Sequence, residues 1–310
     1  MQSMFSSSIT WTDLMKTSAN RRTRIWCSLL ALLPPAACLS AQPNSPPAPA
    51  QQYVRANGVE YARGKSAPLL ADMYLPKDSE PHPAIVFIHG GGWTGGSRTG
   101  WSKLIAPLAE HGYVGMAIDY DLSPEVRFPA ALEECKEAVR WLRAHAIEYH
   151  VDPNRIAVAG GSAGGELAAL VALTNGDPHY EGAGAYKDFS SNVKAAILYS
   201  ADLDLTKFSE SDDAILPYLG GSCSAKRDLC LQASPQFHLD GELPPIFVGH
   251  GTDDEDVPYS QFTNFVAAYR KANGQITIFT AEHGPHSYAA EPQWFQANVE
   301  ATLDFLQKNL

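Results

Sequence analysis

From Ala84 to the C-terminus, short apolar runs alternate with segments of helical period, and no other feature narrows the possible folds as much. Residues 84–88, 113–119, 155–159, 193–200, 245–249 and 276–280 read as buried strands, and residues 103–111, 129–145, 165–174, 259–271 and 294–309 as amphipathic helices. Such alternation calls for a mostly parallel central sheet with helices on both faces, because each crossover lays a helix over the sheet and hides its apolar side. Residues 70–75 alternate in polarity and predict a half-buried edge strand, with a turn over 76–83. Ligands of such sheets sit beyond the carboxyl ends of the strands, so chemistry is expected in the loops directly after these runs.

A chain of 310 residues can form one large α/β domain. A hydrophobic share of 45% and a charged share of 18% fit a folded globular body rather than a disordered chain or a membrane bundle. The net charge is −11 and no basic run lies beyond the N-terminal region, which argues against a nucleic-acid partner.

The N-terminus reads as a signal peptide. Arg21, Arg22 and Arg24 precede an apolar stretch over 25–38 that ends in small residues before Gln42, with cleavage expected after Ala41. The stretch falls short of the roughly 20 residues a spanning helix needs, and Pro34 and Pro35 break it, so no stable membrane insertion is expected. Met15 opens a better-proportioned signal than Met1. Lipid attachment at Cys38 and a twin-arginine route through Arg21 and Arg22 are rival readings; Pro35 is badly placed for the first, and the residues after Arg22 fit the second poorly. The expected destination is secreted or periplasmic. Three segments follow: a signal peptide over 1–41, a proline-rich linker over 42–52 and a catalytic domain over 53–310. Cleavage removes four basic residues against one acidic residue and moves the net charge to −14.

Cys27 and Cys38 would leave with the signal. Cys223 and Cys230 lie seven residues apart in a polar stretch and would close a short disulfide loop in an oxidising compartment. Cys135 shares a helical stripe with Ala131, Leu132, Ala138, Val139 and Leu142, and reads as a small buried hydrophobe.

Gly160-Gly161-Ser162-Ala163-Gly164 follows the run 156–159 and opens a helix. This is the strand-turn-helix setting of a nucleophile elbow, where small residues two before and two after the serine permit a tight turn. A glycine-rich turn that binds phosphate at a helix N-terminus is the plain alternative. Against it stands His89-Gly90-Gly91-Gly92-Trp93, placed directly after the run 84–88. In acyl transfer the carbonyl oxygen becomes an anion, and N–H donors fixed at that point stabilise it. Gly91, Gly92 and Ala163 are the candidate donors. His89 reads as a structural histidine that holds the loop, and Trp93 as packing or substrate contact.

Folds of this kind carry serine, acid and histidine in that chain order, so the base is expected after the last strand. Gly284 and Pro285 make a turn that can carry His286 back over the sheet edge, whereas His283 continues the strand, and His286 is favoured. The acid is expected within 250–258, where Asp253, Asp254, Glu255 and Asp256 compete. Position alone does not choose among them; only the carboxylate that faces the histidine can hold its tautomer.

Together, His89 to Trp93, Phe128-Pro129-Ala130-Ala131, Asp152 to Ile156, Gly160 to Gly165, residues 250–258 and Pro285-His286 resemble the bifunctional acetylxylan/feruloyl esterase branch of the α/β-hydrolase fold, akin to hormone-sensitive-lipase-type carboxylesterases. The resemblance runs from about Tyr74 to the C-terminus. It implies an acid four residues before the proline of Val257-Pro258, which is Asp254, and hence a triad of Ser162, Asp254 and His286 with no cofactor and no metal. The chain departs from the pattern at Gly161, where many relatives carry Asp, and at Glu166, where His or Asn is frequent. The Cys223/Cys230 loop looks like an addition.

The expectation is a secreted serine carboxylic ester hydrolase that works through an acyl-enzyme. Its partner would be a small-molecule or polysaccharide-linked ester, such as an acetyl or feruloyl ester of a carbohydrate. Residues 53–70 are short and lack a helical period, so no N-terminal helical cap is expected, and an open cleft suits such esters better than long-chain lipids. A peptidase, an amidase or an arylformamidase-like hydrolase would use the same triad. The chain lacks the propeller or large cap of oligopeptidases, and secretion argues against an arylformamidase-like role. A silent binding protein is disfavoured because nucleophile, oxyanion loop, acid and base are all present.

Overall fold

The computed structural model describes residues 52–310. The expected signal peptide and the expected linker up to Gln51, with Cys27 and Cys38, lie outside the described residues. Eight strands form one sheet in the order β1-β2-β4-β3-β5-β6-β7-β8. They are β1 (Tyr53–Arg63), β2 (Pro68–Pro76), β3 (His82–Ile88), β4 (Val114–Ile118), β5 (Val151–Gly161), β6 (Ala196–Tyr199), β7 (Ile246–Gly251) and β8 (Ile276–Ala281). β1 and β2 run antiparallel to each other, and β2 runs antiparallel to β4; every other pairing is parallel. This is the α/β-hydrolase fold, as the alternation of runs requires.

Side chains alternate across the sheet with the period of two that a pleated strand imposes. Ala84, Val86 and Ile88 of β3 enter one core layer, and Ile85 and Phe87 enter the other. The first layer is covered by α2 (Ala130–Ala144), α3 (Ala163–Leu173) and α6 (Tyr259–Lys271), the second by α1 (Ser102–Glu110) and α7 (Pro292–Asn309). Strands buried on both faces read as unbroken apolar runs, which is why the inner strands were so plain in the sequence.

Three expectations need correction. β2 is an inner strand and not an edge: Ala71, Asp72, Met73 and Tyr74 are all buried, because β1 pairs along its outer side. β1 itself had no expected element. It is mostly exposed, contains Gly58, and shifts register twice against β2, so no regular polarity pattern marks it. The segment at 165–174 is not amphipathic, since α3 is buried on every side from Ala163 to Ala172. Between β6 and β7 the chain also forms two short helices, α4 (Ile215–Leu219) and α5 (Arg227–Gln232), with a disulfide joining Cys223 and Cys230. Cys135 is a free, fully buried thiol.

Candidate active site

β5 ends at Gly161 and α3 begins at Ala163, which leaves Ser162 alone at the turn with φ 55° and ψ −130°. A residue with a Cβ holds such a backbone only where its surroundings over-determine it. Here they do: the Ser162 N–H donates to Tyr199 O at 3.0 Å, and Ser162 O accepts from the Gly165 and Glu166 N–H groups at 2.8 and 3.1 Å. The flanking glycines are obligatory. A Cβ on Gly160 would lie 2.0 Å from Gly164 O, and one on Gly164 would lie 2.4 Å from His89 O.

The second contact shows that the elbow and the loop after β3 are pressed together. In that loop Gly91, Gly92 and Trp93 have φ of 117°, 58° and 57°, a run of positive values that turns successive N–H groups toward one side. Gly91 O is taken by the Thr94 and Gly95 N–H groups, at 3.1 and 3.0 Å. The N–H groups of Gly91 and Gly92 find no acceptor among the described residues, and that of Ala163 lies in the first turn of α3, where no intrahelical partner exists. His89 braces the loop from within: its Nδ1–H donates to Gly90 O at 2.8 Å, and its ring stacks on Tyr120 with centroids 4.3 Å apart. Burial pushes its pKa below the ordinary imidazole value, so the ring is neutral.

Asp254 follows β7 and His286 follows β8, and the two meet. His286 Nδ1 lies 2.9 Å from Asp254 Oδ2 and 3.0 Å from Oδ1. The Asp254 carboxylate is fully buried, also accepts from the Val257 N–H at 2.8 Å and the Asp256 N–H at 3.0 Å, and lies 3.1 Å from His250 Nε2. Burial alone would raise its pKa; the donors from His250, His286 and Val257 outweigh that and hold it well below the usual carboxylate range. For His286, burial works against the charged ring, but the bond to Asp254 and the negative charges of Asp254, Asp202 and Asp256 carry its pKa above the ordinary value. Ser162 Oγ has no hydrogen-bond partner among the described residues. Its loop and that of His286 nonetheless converge at the end of β6, where Tyr199 O receives the Ser162 N–H and Ser200 Oγ donates to His286 O at 3.0 Å. Catalytic hydrogen bonds of this type commonly tighten only when substrate is bound.

The competing residues fall away from this centre. His283 pairs with Asp253 at 3.2 Å with both side chains largely exposed, and Glu255 and Asp256 are exposed as well. Two residues near the centre were missed by sequence reasoning. His250 is fully buried, donates from Nε2 to Val257 O at 2.9 Å, and lies 3.1 Å from Asp254 Oδ2; its spacing of four from Asp254 was the available signal. Asp202, in the loop after β6, is 4% exposed, and its carboxyl accepts no hydrogen bond among the described residues. Burial raises its pKa to about 7, against the pull of His286 and with the push of Asp254, Asp212 and Asp256. Nothing in its sequence context separated it from Asp204.

A cavity of about 390 Å³ opens beside the oxyanion loop, lined by His89, Gly90, Gly96, Thr99 and Trp101 among others. Arg98, just beyond the loop, donates from Nε to Asp72 at 2.9 Å, from its N–H to Asp119 Oδ1 at 2.8 Å, and pairs through Nη1 with Asp119. Among the described residues no group of His, Cys, Asp or Glu could hold a metal ion, and no helix is long and apolar enough to cross a membrane.

Residues 71–269, more than half of the chain, match the BD-FAE family, the bifunctional acetylxylan/feruloyl esterases. The chain belongs to the BD-FAE family. The resemblance drawn from the motifs is therefore borne out, and with it membership of a family of carboxylic ester hydrolases. The esterases LipQ and LipC of Mycobacterium tuberculosis are 33% and 32% identical over 84% and 76% of this chain. The chain spans only 64% and 60% of the length of those two relatives. Among solved structures, a truncated carbohydrate esterase from gut microbiota aligns with a TM-score of 0.75 and 25% identity, over 84% of this chain and 99% of that one. A butyrate-bound esterase, Est2 of Thermogutta terrifontis, aligns with a TM-score of 0.69 and 28% identity, over 80% of this chain and 94% of that one.

Proposed function

We propose that this BD-FAE family member is a secreted serine carboxylic ester hydrolase, acting on acetyl or feruloyl esters of carbohydrates or on small acyl esters. One observation carries the reading: the buried Asp254 carboxylate holds Nδ1 of His286, in a loop that meets the strained elbow of Ser162 at the end of β6. With Nδ1 fixed as the donor to Asp254, Nε2 is the free lone pair that a general base needs. Ser162 Oγ attacks the ester carbonyl and passes its proton to Nε2. The N–H groups of Gly91, Gly92 and Ala163 take the oxygen that becomes anionic, and Asp254 stabilises the imidazolium. His286 then protonates the leaving alcohol, and water attacks the acyl-enzyme by the same route in reverse.

The substrate class is supported by what the relatives are called: carbohydrate esterase for one structural neighbour, and butyrate-bound for another. The disulfide between Cys223 and Cys230 supports an oxidising compartment, as the signal peptide also does. Release of acetate and ferulate from defined xylan fragments, compared with p-nitrophenyl esters, tests the reading in wild type and Ser162→Ala. The expected result is release that is lost in the variant. Turnover of a tributyrin emulsion that matches the carbohydrate esters would overturn the substrate class, and a mature N-terminus other than one near Gln42 would overturn cleavage after Ala41.

A further inference from the structure

Glu166, a departure from the family pattern with no part in the steps above, and Tyr218, in the segment between β6 and β7 that also carries the disulfide, converge on Trp93. Trp93 directly follows Gly91 and Gly92, is 2% exposed, and holds a left-handed φ of 57° that a tryptophan keeps only when its neighbours impose it. Its Nε1–H donates to Glu166 Oε2 at 3.1 Å. Its indole stacks on the Tyr218 ring, with centroids 4.2 Å apart and planes within 6° of parallel. The Tyr218 hydroxyl closes the ring by donating to Glu166 Oε1 at 3.2 Å. Each of the three side chains thus touches the other two, and each is buried. Burial pushes the Glu166 carboxyl well above the usual range, against the hydrogen bonds from Trp93 and Tyr218.

Tyr218 is carried by α4, and α4 is tied down at both ends. Ala214, just before it, lies against the oxyanion loop, where a methyl on Gly92 would stand 3.0 Å from its Cβ. The Phe128 N–H donates to Tyr218 O at 3.0 Å. Past the helix the chain turns at Gly220 and is closed on itself by the Cys223–Cys230 disulfide.

We propose that Glu166 and Tyr218 are positioning residues for the oxyanion donors: acting through Trp93, they fix the peptide planes of Gly91 and Gly92. The proposal rests on the reading of those two glycines as oxyanion donors. A donor displaced by about an ångström costs on the order of a hundredfold in rate while leaving ground-state binding little changed.

The test compares wild type, Glu166→Leu, Glu166→Gln and Tyr218→Phe. It reads kcat and KM on p-nitrophenyl acetate, inhibition by a trifluoromethyl ketone, and thermal unfolding. The ketone forms a tetrahedral adduct whose oxyanion needs the same donors, so its affinity reports their placement. Glu166→Leu is expected to lower kcat about 10- to 100-fold, to leave KM within about threefold, and to weaken the ketone by a factor close to the kcat loss. Glu166→Gln offers an oxygen to Trp93 and an N–H to the Tyr218 oxygen, and is expected to restore most of the kcat lost in the leucine variant. Tyr218→Phe is expected to lower kcat in the same manner. A folded Glu166→Leu protein with wild-type kcat and ketone affinity overturns the proposal, as does a loss confined to KM. If the leucine variant does not fold, Tyr218→Phe decides: unchanged kcat and ketone affinity overturn it. An active Ser162→Ala would instead sink the reading of the site itself, so the two failures are distinguishable.

Discussion

His286 Nδ1 sits between the two oxygens of Asp254, 2.9 Å from one and 3.0 Å from the other, and the carboxylate that holds it is fully buried. Two further donors, the Val257 and Asp256 N–H groups, satisfy the same carboxylate. An anion so well supplied with donors stays charged, and a charged partner fixes the imidazole tautomer with Nε2 free.

Replacing Asp254 with Asn removes that charge while keeping the shape. The amide can donate to Nδ1, which leaves the proton on Nε2, the atom that must accept the serine proton. Asp254→Asn is therefore expected to lower kcat by roughly 10⁴-fold, with the protein still folded in thermal unfolding and still labelled by a fluorophosphonate, only more slowly. A variant within about tenfold of wild type would show that Asp254 does not orient His286.

The pH dependence follows with its sign. Neutral His286 is the active base, so kcat/KM falls as pH drops below its pKa in the free enzyme. Burial lowers that pKa, but the Asp254 bond and the charges of Asp254, Asp202 and Asp256 outweigh burial, so the acid limb is expected above the usual value of about 6.5. A pH–rate profile on a non-ionising ester checks this, and an acid limb at or below the usual imidazole value counts against it.

His283 provides the control. Its ring pairs with Asp253 in a largely exposed position, 85% and 59% by side chain, and neither group touches Asp254 or the elbow. His283→Ala is expected to leave kcat/KM within about twofold of wild type. A loss as deep as that of His286→Ala would exchange the roles of the two histidines.

How far the site could be read in advance depended on whether chemistry forces a local pattern. Gly160 and Gly164 stand where a Cβ would collide with backbone, so the elbow had to announce itself in sequence. Asp254 differed from Asp253 and Asp256 only in which way the chain turned, and that turn is set by long-range contacts with the loop after β8; the family resemblance, not spacing, singled it out. Asp202 was invisible for the same reason, since burial leaves no local mark. The fold divides likewise. Inner strands such as β3 are apolar on both faces and were legible, whereas β1 is exposed and bulged and was not. α3 was expected to be amphipathic, whereas a helix buried on all sides has no amphipathic stripe.

Arg98 ties the exit of the oxyanion loop to the sheet: it bonds Asp72 of β2 and Asp119 beyond β4. Arg98→Met keeps the aliphatic stem but leaves the buried Asp72 short of a charge partner, with Arg55 Nη2 remaining at 3.7 Å. Losing one partner of a partly buried pair is expected to cost about 1–3 kcal/mol, read as a lower Tm, together with a drop in kcat as the loop loosens. An unchanged Tm would mean that Asp72 is satisfied by Arg55 and the Gly58 N–H alone.

Asp202 gives a stability prediction whose direction is opposite to that of most carboxylates. Its folded pKa of about 7 lies above the roughly 3.9 of an unfolded aspartate. Between these values the folded state keeps a proton that the unfolded state has released. Stability is therefore lost as pH rises from about 4 to about 7, and above that the buried charge is a standing cost, at most about 4 kcal/mol at roughly 1.4 kcal/mol per unit. Asp202→Asn removes the titration. The variant is expected to match wild type in Tm near pH 4.5 and to exceed it at pH 8, where only wild type carries an unpartnered buried anion. The groups that act on Asp202 are His286, Asp254, Asp212 and Asp256. Because Asp202 is one of the charges that raise the His286 pKa, the same substitution is expected to move the acid limb of kcat/KM to lower pH. A Tm difference that stays constant from pH 4.5 to 8, together with an unmoved acid limb, would show that the Asp202 carboxyl has the same pKa folded and unfolded and plays no part in the electrostatics of the site.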